Sequence, residues 1–333
     1  MAKGVNKPMY RKARKFYRDP LAFFLDSDKK PLWKAGERMF IRQTRRFKEL
    51  GAKHSNLKIS VVMTVYNTGA LVEDAVLSVL KQSHKNIELM IIDDASTDDT
   101  LERLKALKKT DDRIRLFHSP TNHGTYWSKN WAIRRATGDF IATHDSDDTS
   151  APRRLQIQLG SLMERPKAAA CTVRWRRVNT KGEELDIDGR RERMAAISLM
   201  FRRNMVLEKT GYFDSVRISA DTEFITRLEH VFGKAGVRHL RHHLYTGLLR
   251  DGSLTRGAGS GFSWQAEGNS FRRELSGDRA DYHKAFHAWH NAYPGNEDTL
   301  KIDFPQQGRT IAAAEDIRRN CDDQDISQVQ EIL

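Results

Sequence analysis

The 333-residue sequence has little cysteine, no long apolar run and neither of the common glycine-rich phosphate loops. Cys171 and Cys321 stand far apart without metal-ligand spacing, which excludes a disulfide framework and argues against a zinc site. No stretch approaches the roughly 18 apolar residues of a membrane span. LAFFL at 21–25 is too short for a signal-peptide core, so a cytoplasmic protein is expected. No GxGxxG follows the first strand-like run and GxxxxGKS/T is absent, which argues against a dinucleotide fold or a P-loop. Without a glycine cradle, nucleotide phosphates would need a cation.

Positive charge, in contrast, is abundant. The net charge is +13, and residues 1–50 hold 15 Lys and Arg against 5 Asp and Glu. In YRKARKFYRDPLAFF the basic side chains interleave with Tyr10, Phe16, Tyr17, Phe23 and Phe24, a composition suited to anionic lipid headgroups or to nucleic acid. No zinc finger or RNA-recognition signature supports the second, so no nucleic acid is expected and residues 1–30 are read as a segment for an anionic membrane surface. The competing reading is a helix packed on the main domain with a solvated basic face.

From residue 58 apolar strand-like runs alternate with helical periodicity. KISVVMTVY (58–66), IELMIID (87–93), RIRLFHS (113–119) and DFIATH (139–144) read as strands, with helices between them. Such alternation implies an α/β fold with a mainly parallel sheet, whose ligands bind at the carboxyl ends of the strands. Polar residues stand at those ends: Tyr66 and Asn67, Asp93 and Asp94, then Asp145, Asp147 and Asp148. Three carboxylates within four positions repel one another, which a bound cation or backbone N–H groups would offset. The plainer alternative is an acidic cap, since Pro152 and the helical spacing of Leu155, Leu159, Leu162 and Met163 follow. An EF-hand fails, because Ser150 and Gln156 stand where Gly and Glu are needed. Asp145 to Thr149 matches the DxDxT/V pattern of haloacid-dehalogenase phosphatases, but only locally and after three strand-helix units.

Four stretches together, ISVVMTVYN (59–67), IELMIIDDASTDDT (87–100), NHGTYWSKNWAIRRATGDFIATHDSDD (122–148) and GYFDSVRISADTEFITRL (211–228), resemble the family 2 glycosyltransferases. The resemblance spans roughly 58–255 and implies a GT-A (Rossmann-like) fold. Its two parts would be a nucleotide-binding half, 58–148, and an acceptor half, 149–255, flanked by a basic N-terminal arm (1–57) and a helical C-terminal extension (256–333). It also implies inverting transfer of a sugar from a nucleotide-sugar donor, UDP-linked in this reading, to a glycan or lipid-linked acceptor. The setting would be bacterial capsule or surface-polysaccharide synthesis at the inner face of the membrane.

By position, the resemblance makes Thr64, Tyr66, Asp94, Lys129, Asp147 and Arg250 donor-binding residues, with Asp94 facing the base. Asp147 and Asp148 of the DxD-type motif would hold Mn2+ or Mg2+, with Asp145 in support. Asp221 would be the general base and Glu223 its alternative. Arg250 stands where relatives often carry His; Arg cannot ligate a cation but can pair with diphosphate oxygens, and His242 or His243 could substitute. A non-catalytic carbohydrate- or membrane-binding module with the same fold is the alternative to an enzyme.

Overall fold

The structure, a computed structural model, describes residues 30–250, 261–267, 270–292 and 300–333. Helix α1 (Lys30–Lys53) precedes an alternating unit of β1 (Ile59–Val65), α2 (Leu71–Leu80), β2 (Ile87–Asp94), α3 (Thr100–Lys108), β3 (Ile114–Ser119), α4 (Thr125–Arg135) and β4 (Phe140–Asp145). β1 and β2 are buried at every residue, which is why they read as unbroken apolar runs: both faces of the sheet are covered. β1 pairs in parallel with β2 on one side and β4 on the other, and β2 pairs in parallel with β3. The resulting order, 4-1-2-3, changes direction between β1 and β4. At such a switch point the loops leave in opposite directions and open a crevice.

The rest of the chain extends this sheet. Next come β5 (Thr149–Ser150), α5 (Arg154–Glu164), β6 (Ala170–Val178), β7 (Glu184–Ile187), β8 (Glu192–Met194), β9 (Met200–Arg202), α6 (Arg203–Lys209), α7 (Ala220–Val231) and β10 (Val237–Leu248). β9 lies antiparallel between β4 and β6, and β10 runs parallel to β6 while its far end pairs with β5. The α/β expectation with a mostly parallel core therefore holds, and the antiparallel strands are additions at its margins.

The segment expected as a helical extension is mixed. Its described parts contain an antiparallel pair, β11 (Phe262–Glu267) and β12 (Ser270–Leu275), helix α8 (Gly277–Ala292), a short α9 (Glu315–Arg318), and β13 (Gln330–Ile332), which adds antiparallel to β3. Ile302, Phe304, Ile311, Ile317 and Val329 join the same apolar core as α4. The Trp127 and Trp131 indoles donate to the carbonyls of Asp323 (3.0 Å) and Ile326 (2.8 Å). β13, three residues long, is too short to carry a readable period.

The described part of the basic segment is α1, laid on α5. Phe47 is fully buried and two glycines let the backbones touch: a Cβ on Gly160 would lie 1.9 Å from the Phe47 carbonyl oxygen, and one on Gly51 would lie 2.1 Å from that of Gln156. The membrane expectation for residues 1–30 and its packed-helix alternative for YRKARKFYRDPLAFF fall on residues that, up to 29, lie outside the described ones. Gly160→Ala should gain about 1 kcal/mol of helix propensity but lose about 1–3 kcal/mol to overpacking. Urea unfolding should show a lower midpoint, and a raised midpoint would mean that the helices are not in backbone contact.

Candidate active site

The crevice at the switch point is lined from both sides. In register, Thr64 of β1 lies opposite Asp145 of β4. The Thr64 hydroxyl is nearly buried and shares a 2.6 Å hydrogen bond with Thr125, the first residue of α4. Tyr66, just past β1, is 48% exposed and free to meet a ligand. Asn67 follows in the left-handed region (φ 48°), its N–H donating to Ser96 Oγ at 3.0 Å and its side-chain oxygen accepting from the Thr97 N–H at 2.8 Å. The loops after β1 and β2 are thus tied together.

Asp94 ends β2 with its carboxylate turned toward α4. It accepts the N–H groups of His123 (3.0 Å) and Gly124 (2.8 Å) and the Ser128 hydroxyl (2.9 Å). Gly124 (φ 88°) heads the helix, and a side chain there would press on Arg217. Burial raises the Asp94 carboxyl, with these donors pulling the other way. The residue assigned by resemblance to the base thus also satisfies otherwise orphaned N–H groups at the start of α4.

The three carboxylates after β4 have separate partners. Lys129 of α4, only 2% exposed, places Nζ 3.2 Å from Asp145 Oδ1, so it is a buried counter-charge and not an exposed helix residue. Asp145 donates its N–H to the Tyr245 hydroxyl at 3.0 Å. Asp147 Oδ2 accepts Arg250 Nε at 3.0 Å, and Asp148 Oδ1 accepts the Leu248 N–H at 2.8 Å. None of them caps α5, which starts at Arg154 with no side-chain capping bond.

Burial, then the charge of Asp147, lifts the Asp148 carboxyl well above the usual range, with Arg177 opposing and Asp145 adding. Loss of hydration in the cleft raises Asp145, Lys129 resists, and Asp147 and Asp221 add to the rise. A hard divalent cation would relieve this mutual repulsion. Among the described residues no three His, Cys, Asp or Glu side chains gather as a metal cage. Mg2+-type sites, however, commonly use one or two carboxylates and complete their shell with substrate phosphates and water, a role that Asp147 and Asp148 fit.

Asp221 enters from the first turn of α7. It is half-buried and accepts the Thr222 N–H at 2.7 Å. The Tyr126 hydroxyl group lies within the fields of Asp221 and Asp145, which add to burial in driving its pKa well above the ordinary value. The structure thus brings Asp221 into electrostatic reach of the acidic turn. Glu223 does not share that position. It is fully buried, gripped by Arg227 at 2.8 Å and His290 at 2.9 Å, and held below its usual pKa by them against the effect of burial. It is a structural anion, and the alternative base is set aside.

His242 and His243 also serve elsewhere. His242 bonds Thr44 of α1 (2.7 Å) under Phe40, and burial lowers its pKa to about 4; His243 lies 2.6 Å from Glu192. Residues that the motif reading missed are Tyr126, Arg177, Tyr245 and Arg279.

The 4-1-2-3 strand order, the crevice beside β1 and the acidic turn that borders it define a GT-A-type α/β domain. The Glycosyl transferase family 2 model matches residues 60–217. The putative glycosyltransferase EpsE of Bacillus subtilis is 44% identical over 110 residues, 33% of this chain and 40% of that protein. The Escherichia coli UDP-Glc:alpha-D-GlcNAc-diphosphoundecaprenol beta-1,3-glucosyltransferase WfgD is 36% identical over 106 residues, 32% of this chain and 41% of that protein. The chain thus spans about two fifths of the length of these curated relatives. Among solved structures, S. aureus TarS 1-349 in complex with UDP aligns with a TM-score of 0.49 and 20% identity, covering 58% of this chain and 61% of that one.

The Glu223 assignment has a direct test. Glu223→Ala leaves Arg227 charged and unpaired in the core, so unfolding in denaturant should show a loss of about 3–5 kcal/mol. Equal stability of the variant and the parent would return Glu223 to the list of bases.

Proposed function

We propose that this chain transfers a sugar from a nucleotide-sugar donor, UDP-linked, to a glycan or lipid-linked acceptor in bacterial surface-polysaccharide synthesis, with inversion. The observation that carries the reading is the placement of a half-buried carboxylate, Asp221, within electrostatic reach of the acidic turn at the sheet's switch point. The family 2 match and the printed names of the relatives support the substrate class. Among the described residues no helix is long and apolar enough to cross a membrane. Attachment to the inner face through residues 1–30 is part of the proposal.

In this mechanism Thr64, Tyr66 and the β2 loop tied by Asn67 receive the nucleoside, and Asp94 keeps α4 in place beside it. Asp147 and Asp148 would hold a manganese or magnesium ion, which when bound supplies charge neutralisation for the diphosphate. Arg250, already on Asp147, adds a fixed cation for diphosphate oxygens. The acceptor hydroxyl oxygen bonds to the anomeric carbon from the face opposite the diphosphate. The bond to the diphosphate breaks with its electron pair leaving on the nucleotide, and Asp221 takes the hydroxyl proton. Lys129 holds Asp145 beside this path, and its compact buried charge limits repulsion between Asp145 and Asp221.

Two substitutions separate an enzyme from a binding module. Asp148→Ala should lower metal-dependent donor hydrolysis on the order of a thousandfold with the fold intact by circular dichroism. Asp221→Asn should keep donor affinity and melting temperature while transfer falls about a hundredfold to ten-thousandfold. Parent-level transfer by both variants would refute the proposed mechanism.

A further inference from the structure

Residues 261–292 follow the family-matched segment, yet α8 reaches back to the turn that presents Asp221. Ser219, the residue before α7, has φ +65°. Left-handed backbone is strained for a side chain other than glycine and persists where the surroundings over-determine it. Here the determinants come from α8. Arg279 Nη1 donates to Ser219 Oγ at 2.6 Å, and His283 Nε2, one turn further, lies 3.2 Å from the same oxygen. Arg279 is 6% exposed, and its guanidinium lies 4.4 Å from the centre of the Phe262 ring of β11.

Arginine only donates, so Ser219 Oγ accepts from Arg279, and its hydrogen or its second lone pair meets His283 Nε2 according to that ring's tautomer. Burial and the Arg279 charge lower the His283 pKa to about 4, which leaves the ring neutral and able to accept. Further along α8, His290 holds Glu223, one turn into α7. Arg279, His283 and His290 recur at helical spacing on one side of α8, so a single face grips α7 at its first and second turns.

We propose that Arg279 and His283 are positioning residues for Asp221: they hold Ser219 in its left-handed turn and thereby aim the Asp221 carboxylate at the acceptor hydroxyl. The inference rests on the reading of Asp221 as the general base. It assigns a catalytic support role to a segment beyond the family-matched domain. The class of contact is a buried, charge-assisted latch between α8 and the catalytic turn.

The test compares Ser219→Gly, Arg279→Met, Arg279→Lys and Asp221→Asn in the full chain, reading transfer rate, donor dissociation constant and melting temperature. Ser219→Gly removes the hydroxyl that the latch holds, and glycine, which tolerates the left-handed turn but equally adopts others, leaves the fold possible and the turn unfixed. It should keep the melting temperature and donor affinity while kcat falls about 10- to 100-fold, as expected when a catalytic group is misplaced by about 1 Å. Arg279→Met should lose as much, and Arg279→Lys, which keeps a donor and the charge, should recover part of the loss. If Ser219→Gly and Arg279→Met transfer within about twofold of the parent while Asp221→Asn does not, the latch is overturned and the base stands. If Asp221→Asn is fully active, the base reading falls and the latch falls with it.

Discussion

Repulsion among Asp145, Asp147 and Asp148 is the constraint around which the molecule is arranged. Three carboxylates on one turn at the end of a buried strand would separate or take up protons unless each met a partner. Lys129 meets Asp145 from α4, Arg250 meets Asp147 from beyond β10, and the Leu248 N–H and the Arg177 charge meet Asp148. The pairing of β5 with Tyr245 and Thr246 of β10 pins the turn between them. Stripped of its partner, the almost fully buried Lys129 would carry a desolvation penalty of several kcal/mol, on the order expected for a buried ion. The same pairings that stabilise the turn therefore hold an unevenly compensated negative field at the mouth of the crevice.

A second set of contacts surrounds this centre. Residues 300–333 cover α4 through the two tryptophans and tie Asp214 to Arg309, whose Nη2 lies 2.8 and 2.7 Å from the two carboxylate oxygens. The carboxyl of Asp214 also accepts the Tyr282 hydroxyl of α8 at 2.9 Å. The chain after α7 is therefore part of the support for α4, which supplies Lys129, and for α7, which supplies Asp221. Fold and site share one set of buried charges.

Much of this was legible in the sequence, for specific reasons. β1 and β2 are buried at every residue, so their runs are nearly continuous, and the polar residues that end β1, β2 and β4 mark the crevice. The acidic turn was visible because no ordinary strand end needs three carboxylates. What could not be read were contacts between distant positions. Lys129 looks like a surface residue until Asp145, sixteen positions on, is seen to face it. Of Glu223 and Asp221, two residues apart on one helix, only the first is fully buried, enclosed by Arg227 and His290, while the second is half-buried. The packing of α1 depended on Gly51 meeting Gln156 and Gly160 meeting Phe47, a pairing that no local pattern announces.

The central claim is that the crevice between β1 and β4 takes a nucleoside diphosphate whose charge is matched by Arg250 and by a divalent metal held on the acidic turn. Calorimetric titration of the full chain with a panel of nucleoside diphosphates, with manganese and without, tests it most directly. The account predicts saturable binding of one nucleotide that requires manganese, and much weaker binding of manganese alone. Nucleotide binding that is equally tight without the metal, or no binding of any nucleotide in its presence, would contradict it.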